Sequence, residues 1–295
     1  MRDHTVAHWP AATGLGVALL VVLGMSIHSL VRLATGDPIP GLQMALLGGL
    51  AGFATTTLGA LPALVVRSMP QKLEDSLLGL AAGMMLAAAA FSLLLPGLDA
   101  ATEFTGSRAV GSIVVVTGLA LGVMLMLGLD SFTPHEHSRS GVFGPVPARM
   151  RRIWLFVLAI ALHNLPEGMA VGVAFGRADL EVGLPVAVAI ALQDIPEGLA
   201  VALALRAAGY SPRLSVFVAS ASGLLEPLGA LLGVTLSSGL VLAYPAGLGL
   251  AAGAMIFVVS HEVIPETHRN GHETPATLGL MAGFALMMVL DTALG

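Results

Sequence analysis

The chain of 295 residues contains nine runs of apolar residues, each close to the roughly 20 residues that an α-helix needs to cross a bilayer. The runs fall near residues 13–34, 42–66, 76–98, 109–130, 153–175, 184–205, 214–236, 244–263 and 276–294. Charged residues make up only 11% of the sequence, against about 25% in soluble domains. The sequence therefore predicts an all-α membrane protein, a bundle of about nine transmembrane helices in a single transmembrane domain over residues 1–295.

The first run resembles a secretory signal peptide in its position at the start of the chain. It has a long apolar core, however, and it ends in Ser26-Ile27-His28-Ser29-Leu30 without a small-residue cleavage site. We therefore expect this run to be retained as a transmembrane helix.

The distribution of basic residues between alternate loops predicts the orientation of the chain. With a cytoplasmic N-terminus, Arg32, Arg108 and Arg177 fall in outer loops, which leaves ten of the 13 Lys and Arg residues for the inner side. Loops rich in Lys and Arg stay in the cytoplasm. We therefore expect the N-terminus to be cytoplasmic and the C-terminus to be outside.

The longest connection, 131–152, is cytoplasmic in this arrangement. It contains His135 and His137, then Gly- and Pro-rich sequence, and it ends in a basic cluster at Arg152. Two interpretations are open. The segment is either a flexible linker whose arginines lie at the membrane surface, or a loop whose histidines sample metal on the inner side.

Two similar hexapeptides lie in the middle of the fifth and sixth apolar runs. They read His163-Asn164-Leu165-Pro166-Glu167-Gly168 and Gln193-Asp194-Ile195-Pro196-Glu197-Gly198. In each, a metal-capable side chain stands four residues before the glutamate, so the two face the same side of a helix. Ionisable groups at membrane depth cost roughly 2.5–3.5 kcal/mol each and usually line an ion path. The pair of motifs predicts a metal site between two neighbouring helices.

Prolines accompany the acidic residues in three runs. Pro166 and Pro196 cannot donate backbone hydrogen bonds, so we expect bends that give the side chains beside them room. In the seventh run Glu226 stands next to Pro227. An isolated glutamate here could carry protons or remain protonated, but with two other acidic helices nearby a metal ligand is the better interpretation.

The donor atoms of these residues define which ions could bind. The chain has no cysteine, which excludes disulfides, iron–sulfur clusters and thiolate zinc sites. Imidazole, amide and carboxylate donors suit Zn²⁺, Fe²⁺, Mn²⁺ or Cd²⁺. Four carboxylates in one cavity, from Glu167, Asp194, Glu197 and Glu226, would repel one another strongly, and two divalent cations would offset their charge. Glu167 and Glu197 are natural bridging ligands between two such ions.

Other residues in the apolar runs carry weaker signals. Asp291 is deep in the last run and Asp130 ends the fourth, and both are either path residues or helix ends near the surface. His261 and Glu262 close the eighth run, either as an exit relay or as an ordinary polar helix end. Glycines spaced four residues apart predict close helix packing. They occur at Gly48/Gly52, Gly79/Gly83, Gly229/Gly233, Gly249/Gly253 and Gly279/Gly283.

The two hexapeptides resemble the signature of the ZIP (Zrt/Irt-like protein) metal transporters, in its bacterial branch, and the resemblance extends from about residue 42 to the end of the chain. It implies divalent-metal uptake through a binuclear centre. The first metal position would involve His163, Glu167, Gln193 and Glu197, with Met85 contributing, and the second Asn164, Glu167, Asp194, Glu197 and Glu226. The same resemblance implies that Asp75, His261 and Glu262 lie on the transport path.

The resemblance also implies how such a protein works. Helices that bear the site would slide against a static, dimerising part, so we expect a homodimer in the bacterial inner membrane. Many eukaryotic members of the family have histidine where this chain has Gln193, which predicts a weaker or broader metal selectivity. We expect transported zinc, and also cadmium, iron or manganese, without a prosthetic group or nucleic-acid partner.

Two other functional classes fit the sequence less well. An intramembrane zinc hydrolase would need His-Glu-x-x-His, and the stretch from His261 to Pro265 lacks the second histidine. A purely structural or receptor-like bundle would not tolerate so many central acids. The sequence therefore favours a metal transporter that works by alternating access.

Overall fold

The computed structural model describes residues 9–35, 39–132, 148–238 and 241–294. Throughout these ranges the backbone is helical with short connections, and it forms no strand there. The nine helical rods in this part of the chain are numbered α1 to α9 in chain order. They are α1 (Trp9–Ala34), α2 (Leu42–Leu64), α3 (Gln71–Thr105), α4 (Arg108–Phe132), α5 (Ala148–Ala174), α6 (Leu180–Ala207), α7 (Pro212–Ser222 and Leu225–Ser238), α8 (Ala243–His268) and α9 (Glu273–Leu294).

The predicted class, an all-α membrane protein, is confirmed. Among the described residues, seven helices are long and apolar enough to cross a bilayer, namely α2, α3, α4, α6, α7, α8 and α9. α1 contains a shorter apolar stretch, Thr13–Gly24, and α5 extends over 27 residues. Large apolar side chains such as Leu20, Ile113 and Phe217 are exposed on the outer faces of the bundle, as expected where lipid replaces water.

Two rods contain short π-helical segments that the sequence analysis did not predict. They are Ala88–Leu94 in α3 and Val259–Val263 in α8. Pro96 and Pro265 follow directly, within the first two residues of the next α-helical segment. Because a proline cannot donate to the carbonyl four residues before it and crowds that carbonyl, the wider π-turn accommodates it. By contrast, α5 and α6 remain α-helical through Pro166 and Pro196, and the bends predicted there stay a prediction.

Four of the five predicted glycine pairs lie against the backbone of a partner helix, and the glycines of the two helices face each other. Gly48 and Gly52 lie against side chains instead. On α3, a Cβ at Gly79 or Gly83 would overlap the backbone of α9, and a Cβ at Gly279 or Gly283 would overlap the backbone of α3. The other matched sets are Gly118 and Gly122 with Gly249 and Gly253 (α4 and α8), Gly168 and Gly172 with Gly229 and Gly233 (α5 and α7), and Gly59 with Gly198 (α2 and α6). Backbones therefore approach to the limit that only glycine allows.

These pairs combine into two groups of four rods within the described chain. The ligand group consists of α2, α5, α6 and α7, in which α7 contacts both α5 and α2. The support group consists of α3, α4, α8 and α9, in which the middle of α3 contacts α8. α1 lies against α4 and α7. The two groups meet mainly where α3 packs on α6 and α8 packs on α5.

Opposite ends of the rods gather at two faces of the bundle. At one face a cavity of about 570 Å³ is lined by residues from the end of α3, the α5–α6 connection, the start of α8 and the end of α9. At the other face Asp75, near the start of α3, contacts Asn270 and His272 in the α8–α9 connection. The rods therefore alternate in direction.

Candidate metal centre

The two hexapeptides lie side by side in the middle of α5 and α6. Apolar flanks of Leu, Ala, Val and Ile make both segments helical, and the four-residue spacing then directs the polar side chains toward each other. The described residues include one cluster of metal-capable groups, formed by Glu167, Asp194 and Glu197, whose ligand oxygens all lie within 4.8 Å of one another. All three side chains are buried.

Electrostatics makes this cluster unfavourable without a cation. Two unit negative charges 4.8 Å apart repel by about 3.5 kcal/mol at an effective dielectric constant near 20. Each carboxylate also loses hydration on burial. Divalent cations between the oxygens would remove the repulsion and replace the lost hydration.

Several buried polar atoms at the centre lack a hydrogen-bond partner. Gln193 Nε2 donates a hydrogen bond of 2.7 Å to Glu167 Oε1, which orients both side chains across the α5–α6 contact. Their other oxygens, Gln193 Oε1 and Glu167 Oε2, are buried without a hydrogen-bond partner, and so is Glu197 Oε2. Buried polar atoms are normally paired. Three unpaired oxygens on adjacent side chains match the donor set of a metal site.

Glu226 reaches the same centre from α7. The α-helix of this rod is interrupted at Gly223 and Leu224, and Glu226 lies in the first turn after the interruption. Its Oε1 accepts a hydrogen bond of 2.8 Å from Thr56 Oγ1, while Oε2 is buried and unpaired. Gly168 lets α7 approach, because a Cβ there would overlap the Glu226 carbonyl. The structure thus brings Glu226 beside the two hexapeptides.

His163 and Asn164 are also buried at this level. His163 Nε2 lies 3.0 Å from Glu262 Oε2, an ion-pair distance without hydrogen-bond geometry, and neither ring nitrogen has a hydrogen-bond partner. Asn164 Nδ2 is likewise unpaired. Glu262 belongs to the π-helical segment of α8 and is 21% exposed. Glu262 therefore connects the support group to the first hexapeptide. Neither sequence interpretation of this residue, an exit relay or an ordinary polar helix end, predicted that contact.

Two further predicted residues, Met85 and His261, belong to helices of the support group. Met85 is buried on α3 in the main apolar cluster, which also includes Met169 and Ile190. His261 stacks on Phe257 with ring centroids 4.9 Å apart.

Two predicted path residues stand near opposite ends of the bundle. Asp75 is buried and accepts hydrogen bonds from Gln71 and Asn270, with His272 Nδ1 2.8 Å from its other oxygen. Asp291 accepts a short hydrogen bond from Ser92 and lines the 570 Å³ cavity. The hydrogen bonds of Asp75 and Asp291 join them to residues other than the three acids of the central cluster. Positions near the two ends of the bundle are compatible with the predicted path.

Part of the predicted cytoplasmic loop lies outside the described residues. His135 and His137 belong to that part, so the structure leaves both interpretations of the loop open. Asp130 lies on the helical backbone of α4, but its side chain is not described.

Sequence reasoning missed the contribution of α2. Thr56 donates to Glu226, Thr55 Oγ1 lies 3.5 Å from Asp194 Oδ2, and Gly52 faces both carboxylates. A signal was available, because Thr55, Thr56 and Thr57 form a run of three hydroxyl groups inside an otherwise apolar span. In isolation, such hydroxyls satisfy their own helix carbonyls, so the run did not indicate a site.

The fold and the geometry of the centre define the class of protein. It is a multi-pass membrane protein with a buried cluster of nitrogen and oxygen donors where α2, α5, α6 and α7 meet. Comparison with known proteins identifies the family. The family model described as ZIP Zinc transporter matches residues 130–291, which include both hexapeptides and Glu226. The chain belongs to the ZIP zinc transporter family.

Individual relatives support this assignment over most of the chain. Zinc transporter ZIPB of Bordetella bronchiseptica is 64% identical over 285 residues, covering 97% of this chain and 91% of that protein. Zinc transporter GufA of Myxococcus xanthus is 44% identical over 258 residues, covering 86% and 99%. Zinc transporter ZIP11 of Homo sapiens is 32% identical over 335 residues, covering 85% and 97%.

These findings confirm the resemblance that the two hexapeptides suggested. Family membership makes the chain a transporter and not an enzyme, and the alternative of an intramembrane hydrolase finds no support among the relatives. The long apolar helices agree with a multi-pass membrane protein.

Proposed function

We propose that this protein carries divalent metal ions, zinc foremost, across the bacterial inner membrane into the cytoplasm through the centre between α5 and α6. The observation that carries the proposal is the buried cluster of Glu167, Asp194 and Glu197, whose ligand oxygens lie within 4.8 Å of one another. Relatives named as zinc transporters point to the same ion. The donor set of carboxylates, amides and one imidazole suits zinc and also cadmium, iron or manganese.

We propose two metal positions that share Glu167 and Glu197. The first would use His163 and Gln193, with Met85 from α3, and the second Asn164, Asp194 and Glu226. The hydrogen bond between Gln193 and Glu167 supports the first grouping, because it holds an amide oxygen free beside a shared carboxylate. The proximity of Asp194 and Glu226 to Gly52 supports the second.

Uptake would follow the membrane potential. We propose a cytoplasmic N-terminus and an outer C-terminus, which makes the face with the 570 Å³ cavity the outer one. Support comes from the alternation of the rods and from the excess of basic residues in the loops assigned to the inner side. An inside-negative potential contributes roughly 2.3 kcal/mol per charge per 100 mV, hence about twice that for a divalent ion.

Alternating access would come from movement of the ligand group against the support group. The glycine-matched contacts between whole backbones lie within each group, so each can move as a unit. The centre belongs almost wholly to the ligand group and would travel with it. Following the family resemblance, we propose that the support group also forms a homodimer contact.

Zinc flux into liposomes tests the central proposal. The purified chain is reconstituted with a zinc indicator inside, and an inside-negative potassium diffusion potential is imposed before zinc is added. We expect Glu167→Ala to lower the initial rate at least about 100-fold, because a shared ligand affects both metal positions. Glu273→Gln, on the exposed start of α9, serves as the control and should retain the wild-type rate. Flux in Glu167→Ala within about twofold of wild type would remove the centre from the path.

Metal preference is tested at Gln193. We expect Gln193→His to shift the ratio of zinc to cadmium flux toward zinc by about fivefold, since imidazole is the better zinc donor. Competition flux with both metals present measures the ratio. An unchanged ratio would mean that Gln193 is not a ligand during transport.

A further inference from the structure

Helix α2 supplies no ligand in the proposed centre, yet it touches two of the proposed ligands. Thr56 is 3% exposed, and its hydroxyl lies 2.8 Å from Glu226 Oε1 and 3.1 Å from the Gly52 carbonyl of its own helix. A hydroxyl has one proton, and the carboxylate oxygen is the nearer and more strongly accepting partner. Thr56 therefore donates across the helix contact to Glu226.

Gly52 leaves the space that the Glu226 carboxylate occupies. A Cβ at this position would overlap Glu226 Oε2 and lie 3.0 Å from Asp194 Oδ2. Gly52 is thus the point of α2 at which both carboxylates lie against bare backbone. Any side chain here would push Glu226 away from its present position.

Gly198, the glycine of the second hexapeptide, allows α2 to pack closely against α6 at the level of Thr56. A Cβ at Gly198 would overlap the backbone carbonyl of Thr56, and a Cβ at Gly223 would lie 3.1 Å from the Thr56 side chain. Thr56 is consequently held between α6 and the interruption of α7. Gly198 and the interruption of α7 at Gly223 together leave the space in which the Thr56 hydroxyl lies beside Glu226.

We propose that Thr56 and Gly52 position Glu226 in the metal centre, so that α2 shapes the second metal position without contributing a ligand to it. This inference rests on the proposed transport function. Thr56 fixes Oε1 and leaves Oε2 unpaired for a cation. Because the hydroxyl is neutral, it orients the carboxylate without offsetting the charge that attracts the metal. Gly52 sets how closely Glu226 and Asp194 can approach.

Zinc binding to the purified protein in detergent tests the inference, using zinc alone in competition with a chromophoric chelator. We expect Thr56→Val, which keeps the side-chain shape and removes the donor, to weaken one of two bound zinc ions by about 10–100-fold, the usual effect of losing an outer-shell partner. Thr56→Ser should restore binding. Gly52→Ala should weaken the same ion by displacing the carboxylate.

The neighbouring hydroxyl provides a matched control. Thr57 lies on the same helix, and its buried Oγ1 has no hydrogen-bond partner, so Thr57→Val should bind zinc as the wild type does. A double-mutant cycle then separates positioning from general packing. In a Glu226→Ala background, Thr56→Val should have no further effect on zinc binding, because the residue it orients is gone.

The outcomes distinguish this inference from the proposed function. If wild type binds and transports zinc but Thr56→Val leaves binding unchanged, α2 has no positioning role. If Thr56→Val lowers affinity equally with and without Glu226, the threonine acts through packing and the inference is wrong. Should Thr56→Val fail to fold, Gly52→Ala and the Thr56→Ser variant decide the question in the same assay. A wild type that binds no zinc, or whose binding ignores Glu167→Ala, overturns the proposed function itself.

Discussion

The ligand group and the support group are built by the same packing device but contain different chemistry. In both, glycines on facing helices bring backbones together, as at Gly83 in α3 and Gly233 in α7. The ligand group buries Glu167, Asp194 and Glu197 at its centre, whereas the support group reaches that centre through Glu262. Close helix packing is therefore independent of the site. What differs between the groups is the polar residues that the packing holds in place.

This comparison explains how a costly cluster of acids survives in a membrane. In lipid, two helices are held together by dispersion contacts and hydrogen bonds, because the lipid tails are as apolar as the helices and the hydrophobic effect adds nothing. Matched glycines maximise those contacts, so a firmly packed group can hold the acidic side chains close together. The described residues of the support group include no comparable cluster of metal-capable groups, and its acids Asp75 and Asp291 lie near its two ends.

The largest effect should come from a methyl group added at the matched glycines. Gly83→Ala and Gly233→Ala each place a Cβ against backbone of the partner helix, at Leu280 and Met169. Overpacking of this kind costs up to about 3 kcal/mol, so the unfolding temperature in detergent should fall by on the order of 10 °C.

Gly16 on α1 is the control for these substitutions, because a Cβ there meets nothing within 4 Å. Gly16→Ala should not lower the unfolding temperature, since alanine is the better helix former and meets no neighbour there. If Gly233→Ala were tolerated while Gly83→Ala was not, the ligand group would be the looser of the two, contrary to its proposed movement as a unit.

An intermediate effect is expected where the support group reaches the centre. Glu262→Gln removes the charge 3.0 Å from His163 Nε2 and should lower zinc flux about tenfold, since an outer-shell carboxylate normally holds a ligating imidazole. Glu266→Gln, one helical turn further on and paired with Arg269 at 2.9 Å, is the control and should transport normally. Equal flux in the two variants would assign the centre to the ligand group alone.

The smallest effect concerns the contact between the groups at the cavity face. Arg177 follows α5, and it lies 3.9 Å from Glu103 and 4.9 Å from the ring centroid of Phe104, both on α3. The cavity it lines also contains Asp99 and Asp291. Arg177→Gln removes a fixed cation from this acidic cavity, so we expect the KM for zinc to fall about two- to fivefold, the scale of an exposed ion pair.

Salt provides the internal check on that result. The change should shrink at high ionic strength, because exposed charges are screened. Arg108→Gln, at the start of α4 and not part of the cavity lining, should leave KM unchanged. A KM that rose in Arg177→Gln would mean that the arginine helps to hold the groups in the conformation that accepts zinc.

Much of the candidate centre was predictable because its residues follow helical spacing. His163 and Glu167, like Gln193 and Glu197, are one turn apart, so helix formation alone puts each pair on one face. The glycines spaced four residues apart likewise predicted close packing between helices. The contacts of Thr56 with Glu226 and of Glu262 with His163 were not predictable, since each joins residues more than 90 positions apart and follows no local period.

The sequence by itself determined the membrane class, the helical rods, the two acidic hexapeptides and, through them, the family. These properties depend on composition and on periods of three to four residues, which the chain carries locally. Only the tertiary structure decided which glycines face which backbones, that the interruption at Gly223 and Leu224 brings Glu226 against α2, and that π-turns absorb Pro96 and Pro265. The reason is physical: helix pairing in lipid is selected by shape complementarity between distant segments, and shape is fixed only when the partners meet.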